Sequence, residues 1–129
     1  MDTAVLSPSR VVVPGTVRLP LSRGDYVIIK QRLNAGETMD LFERAASELD
    51  GTLNARKVGM AITVTYLLDW SLMDPEGAVI PIRDASAAEK DAALRLLDFE
   101  SVMEIQKAIT AHDAASRQEK KPPSIERAS

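Results

Sequence analysis

Apolar positions along this chain change their rhythm repeatedly, and each change marks an element. Val17, Leu19 and Leu21 alternate with polar or proline positions, and Val27 and Ile29 resume the alternation in a β-branched run. Turn-forming Ser22-Arg23-Gly24-Asp25 separates the two runs, so the pattern predicts a β-hairpin. Pro20 has no N–H to give a ladder, which places its strand at a sheet edge. The period then lengthens. Phe42, Ala45, Ala46 and Leu49 fall at helical spacing on one face, and Asp40, Glu43 and Glu48 mostly take the other. Asn34 followed three residues later by Glu37 is a start signal, and Asp50-Gly51 supplies a stop.

The next stretch carries two rhythms at once. Val58, Met60, Ile62, Val64, Tyr66, Leu68, Trp70 and Leu72 alternate, which by itself describes a strand. At ~3.3 Å per residue such a strand would span roughly 50 Å, whereas a domain of this size has a radius of gyration of ~14 Å. A helix buried on several sides fits that space better, and the expectation is a helix over residues 54–70. Asp74-Pro75-Glu76-Gly77 then makes a type I turn, since Asp accepts from nearby N–H groups, Pro presets φ and Gly suits the fourth position. Pro81 biases Ile80 towards extended backbone. With Trp70 at the helix end, the turn would fold Val79, Ile80 and Ile82 over the indole.

Ser86 and Glu89 form a capping box for a helix ending near Leu97. Asp98 caps the last helix, in which Phe99, Val102, Ile105, Ile109 and His112 run along one side with Met103 flanking. Residues 1–10 read as a flexible lead-in, 11–115 as a single globular domain, and 116–129 as a disordered tail, too polar and proline-broken to offset its ordering entropy. The fold class is α+β, mainly helical, with an N-terminal β-hairpin packed on a bundle of about four helices.

Composition narrows the chemistry. A length of 129 residues, 45% of them hydrophobic, suits one domain with a modest core. A net charge of −3 and a pI near 5.2 argue against a nucleic-acid binder, which needs a basic face to displace counterions. The absence of cysteine excludes disulfides, thiolate metal sites and cysteine nucleophiles. "MDTAVLSPSR" has no basic region leading into an apolar run, and no stretch approaches the ~20 apolar residues of a membrane span. The expectation is a cytoplasmic protein that does not enter a membrane.

Residues that could carry chemistry read more simply as structure. Asp69, Asp74 and Glu76 cluster without ligand spacing, and Asp74 already serves the turn. His112, the only histidine, has no nucleophile beside it in any motif and suits a helix end. Arg23-Gly24-Asp25 spells an adhesion tripeptide but sits where a hairpin loop is expected. Gly51 and Gly59 form no phosphate-cradling pattern. No catalytic, cofactor-binding or metal-ligating residue is expected. Candidate partner contacts are Glu43 and Glu48 on the acidic helix face, as a docking surface for a basic helix, together with Met103 and Trp70. Solvated acids are the common alternative for the first pair, and core packing for the indole.

The order of pieces adds one resemblance. "TVRLPLSRGDYVIIKQRLNAGE", a helix, "YLLDWSLMDPEGAVIPI" and a terminal helix containing "FESVMEIQKAITAH" resemble the tail assembly chaperones of long-tailed bacteriophages of the siphophage type. The likeness covers roughly residues 12 to 113 and rests on the strand followed by "RLNAGE" and on Trp-Ser-Leu-x-Asp-x-x-Gly from Trp70 to Gly77, with Pro81 after it. It implies a mainly helical domain without enzymatic activity that works in the host cytoplasm, self-associates, and binds the long helical tape measure protein while the tail tube polymerises. In several members of that family ribosomes slip near the gene's end, giving an extended product that recruits tail tube protein, and the codons of Lys120-Lys121 would be the place for it here. The rival classes are a structural minor tail or connector protein of the virion and a small acidic regulatory binding protein.

Overall fold

In the computed structural model, which describes residues 10–46 and 55–120, the period-two segment forms an antiparallel hairpin of β1 (Thr16–Pro20) and β2 (Tyr26–Lys30). Val17 lies opposite Ile29 and Leu19 opposite Val27, so the alternating apolar positions share one face. Arg23 and Gly24 adopt positive φ in the turn, and the Leu21 N–H closes it on the Asp25 carbonyl at 2.8 Å. β1 is at the sheet edge, where Pro20 leaves no ladder bond unmade.

The doubly patterned stretch divides rather than choosing. Ala55–Tyr66 is a helix, α2, which follows α1 (Ala35–Ala45), while Leu67–Trp70 is a third strand, β3, antiparallel to β2. The helix expected to run to residue 70 therefore ends four residues earlier. The cause is non-local: β2 would otherwise present a row of unpaired backbone groups on the side away from β1, and residues 67–70 satisfy them. Val27 lies opposite Trp70 and Ile29 opposite Leu67, with a register irregularity between Ile28 and Ile29. Such an irregularity lets two apolar positions that are three apart face the same core.

Trp70 is buried, 2% exposed, and its indole N–H donates to the Ile80 carbonyl at 2.8 Å. The turn after it is as expected. Gly77 N–H bonds the Asp74 carbonyl at 2.9 Å, and the Asp74 carboxylate accepts from the N–H groups of Glu76 and Ala78. Gly77 has φ 86°, the left-handed residue that closes a type I hairpin turn. Ile82 joins the core and Ile80 is half-buried, but Val79 pairs with Met73 on the outer side and is exposed, so it does not cover the indole.

The Asn34–Glu37 start signal is a full capping box, and the expected Ser86–Glu89 box is present too. Asn34 accepts from the Glu37 N–H at 2.8 Å with the reciprocal bond at 2.9 Å, and Ser86 and Glu89 do the same at the start of α3 (Ala87–Leu94). Helix α1 buries Ala45, as expected, but with Leu41 beside it in place of Phe42, which is 45% exposed. Leu49 and the Asp50-Gly51 stop lie outside the described residues. Asp98 caps α4 (Phe99–Lys120) by accepting from the Ser101 N–H at 2.8 Å. This helix continues through residues 116–120, which were expected in the tail, and Arg117 there pairs with Asp113 at 3.0 Å.

The core gathers Val27 and Ile29 of the sheet, Leu41 and Ala45 of α1, Leu94 of α3, and Ile105 and Ile109 of α4 around α2. Every side chain from Ala61 to Leu67 is buried. Two of them are threonines, and each hydroxyl donates to a carbonyl one turn back: Thr63 to Gly59 at 2.8 Å, Thr65 to Ala61 at 2.6 Å. Gly59 faces Gln106 of α4, whose side chain would stand 3.0 Å from an added Cβ, so the missing side chain lets the two helices close up. The architecture is α+β and mainly helical, four helices with a three-stranded antiparallel sheet among the described residues.

Candidate functional site

The core stripe of α4, Val102, Ile105 and Ile109, packs inward and leaves Phe99 and Met103 off its side. Helix α3 cannot cover them. It is eight residues long and presents Ala87 and Ala88 where larger residues would fill space. An open groove of about 1340 Å³ results, with Met60, Ala61 and Val64 of α2 as its floor, the two alanines on one wall and Phe99, Val102 and Met103 on the other. Phe99 is 75% exposed and Met103 46% exposed, a large apolar area to leave in water. Typical small-molecule pockets enclose ~300–1000 Å³. This groove is larger and unroofed, a shape that suits a helix of ~10–12 Å diameter laid along it. Its rim is polar: Arg44, Lys57, Gln106 and the Asp91–Arg95 ion pair, 2.7 Å apart.

Beside the groove lies a recess of about 100 Å³ that shares Arg44, Val64 and Ala87 with it. Lys30, Glu37, Asp40, Thr65 and Lys90 complete its lining. The Arg44 guanidinium is held by the Thr65 hydroxyl at 2.9 Å, and Lys30 is ion-paired with Glu37. Burial works to raise the Glu37 carboxyl, but the Lys30 ammonium and the Asn34 N–H outweigh it and hold the group below the usual carboxylate range. Burial, followed by the neighbouring charges of Lys30 and Arg44, pushes the Lys90 ammonium down.

Of the candidate contact residues, Met103 alone lines the groove. Glu43 is exposed on α1 and lines neither the groove nor the recess, and Glu48 lies outside the described residues. Trp70 is a core residue here, corrected from a partner contact by its burial and its bond to Ile80. Phe99 was missed because its spacing from Val102 matches the buried stripe; as the first residue of α4 it has no further turn beside it to pack against.

The other acidic and basic candidates are occupied in structure. Asp69 pairs with Arg83 at 3.0 Å, and Asp25 accepts from the Ser71 hydroxyl at 2.9 Å. His112 meets the Gln31 carbonyl at 2.9 Å through Nε2 and stands edge-on to Tyr66, centroids 5.8 Å apart. The Tyr66 hydroxyl donates to the buried Asp113 carboxylate at 2.7 Å; burial, then Asp113, raises its ionisation above the ordinary tyrosine range. Among the described residues no group of three or more His, Asp or Glu is placed to hold a metal ion, and no helix is long and apolar enough to cross a membrane. Compared with family models, with curated proteins and with solved structures, the chain finds no match.

Proposed function

We propose that this protein is a non-enzymatic, helix-binding assembly factor that acts as a tail assembly chaperone of a phage or prophage, in the cytoplasm of the bacterial host, on the tape measure protein. The observation that carries the reading is the unroofed apolar groove between α2, α3 and α4. A helix seated there would use anchors at i, i+3 or i+4 and i+7. Met60 and Met103 suit a partner whose successive turns differ, because an unbranched thioether repacks at little cost. A long helix with an apolar stripe aggregates while it waits for its tube. Several copies of a small acidic protein, each gripping a few turns and touching its neighbours, would cover that stripe through many weak contacts. An extended product made by slippage at Lys120-Lys121 would add recruitment of tail tube protein.

A long coding sequence for the tape measure protein is expected next to this gene, and co-expression with that protein tests the proposal. The wild-type chain is expected to raise the soluble yield of the partner and to elute with it. Phe99→Ser combined with Met103→Asp should lose both effects while keeping the far-ultraviolet circular dichroism of the parent. A partner equally soluble with or without the protein would overturn the proposal. So would stoichiometric amounts of this chain in purified virions, which would favour a structural tail component.

A further inference from the structure

Lys30 of β2, Arg44 of α1 and Lys90 of α3 arrive at one recess from three different elements. Glu37 and Asp40 line it too, so three cations face two carboxylates and one positive charge is left over. Of the three cations, Lys90 is the one whose charged end is left without a bond. Glu37 is committed to Lys30, Arg44 bonds the neutral Thr65, and among the described residues none forms a hydrogen bond or ion pair with the half-buried Lys90 ammonium. A partly buried charge without a counterion is costly and is normally paired. Its natural complement is one carboxylate. A volume of about 100 Å³ admits such a group; each water in the liquid takes ~30 Å³.

The recess opens from the groove, since Arg44, Val64 and Ala87 belong to both. We infer that it seats the side-chain carboxylate of the helix lying in the groove, so the partner helix carries an Asp or Glu beside its apolar stripe, at the end nearest Arg44. The groove would supply affinity and the recess would fix register, because sliding the helix by one residue withdraws the carboxylate. This rests on the groove being a helix site, and the test separates the two.

The probes are synthetic 18-residue amphipathic helices with a leucine stripe and otherwise neutral residues. A single Glu is moved through successive positions flanking the stripe, each peptide having a Gln twin. With wild-type protein at low salt, at least one Glu position should bind about tenfold more tightly than its twin, as for a hydrogen bond to a charged group. Raising salt should shrink the ratio. Lys90→Gln should bring it to about one and leave Gln-twin binding unchanged. Equal binding of Glu and Gln twins at every position would overturn the carboxylate seat while the groove stands. If no probe binds, the groove reading fails, and a side-chain nuclear magnetic resonance titration with sodium acetate, against sodium chloride at equal ionic strength, decides the seat. Acetate-specific shifts of Lys30 and Lys90 that vanish in Lys90→Gln would sustain it; none in the wild type would overturn it.

Discussion

Replacing Trp70 by alanine tests the way sheet and helices are joined. The indole is 2% exposed, stands opposite Val27 at the end of β3, and donates to the Ile80 carbonyl at 2.8 Å. A tryptophan buries about 150–250 Å². At ~25 cal/mol per Å² that is about 4–6 kcal/mol, an upper bound because unfolded chains already hide some apolar surface. Truncations of large buried aromatics cost ~3–5 kcal/mol. The orphaned carbonyl adds under about 1 kcal/mol, since Ile80 is only half-buried and water can replace the donor. The expected loss for Trp70→Ala is therefore ~3–5 kcal/mol, a large share of the ~5–15 kcal/mol that holds an ordinary domain.

Trp70→Phe separates the two contributions. It keeps most of the apolar contact and loses the hydrogen bond, and should cost ~1–2 kcal/mol. Urea unfolding followed by far-ultraviolet circular dichroism suits all three proteins, because Trp70 is the chain's only tryptophan and fluorescence would disappear with it. The midpoint should fall at unchanged m-value. Amide exchange should also accelerate at Ile80, whose N–H bonds the Leu72 carbonyl at 2.9 Å across the same small hairpin. A loss under about 1 kcal/mol for Trp70→Ala would be of surface size, and would refute the claim that the indole ties the 71–82 segment to the core.

The two capping boxes lie on different helices, so Asn34→Ala and Ser86→Ala should each cost ~1 kcal/mol and add in the double variant, as thermal melts would read. Asp113→Ala leaves the buried Tyr66 hydroxyl without its acceptor and should cost ~1–3 kcal/mol; ultraviolet absorbance titration should show the tyrosine ionising at lower pH than in the parent. Because folding raises Tyr66 above its ordinary value of 10.0, its contribution is complete below that pH and is lost as pH climbs beyond it, a decline absent in Tyr66→Phe. Glu37 is shifted the other way: its contribution is present above the ordinary 4.5 and is lost as pH falls through and below that value, and Glu37→Gln should flatten this acid limb of stability. Lys90→Met, which removes a partly buried cation facing two others, should raise the urea midpoint, and a lowered midpoint would mean that Lys90 has a carboxylate partner within the fold.

What the sequence makes legible here is decided within a few residues of itself. Asn34 with Glu37, Ser86 with Glu89, Asp98, and the Asp74–Gly77 turn all satisfy their own backbone, and all are found in place. The alternation from Val17 to Ile29 is equally local, since its turn fixes its register. Residues 58–72 are different. A period of two fits a strand, and also a helix buried on all sides, where no polar face exists to reveal a period of 3.6. The switch after Tyr66 is set by the free edge of β2, some forty residues earlier in the chain. The same holds for Leu41 and Phe42: adjacent apolar residues on a helix point about 100° apart, and the position of α2 decides which is buried. The groove and its recess belong wholly to this second class. Met60, Phe99 and Met103 are ordinary core residues by spacing, and Lys30, Arg44 and Lys90 are ordinary surface cations. They become a site only because α3 stops after eight residues beside two small alanines, leaving one wall low and three charges converging. Lengthening that wall therefore addresses the groove directly. Ala88→Leu should fill it without touching the buried core, and should weaken capture of a helical partner while the urea midpoint holds. Undiminished capture by that variant would move the binding surface elsewhere, with the exposed Met39 and Phe42 of α1 as the next apolar face to test.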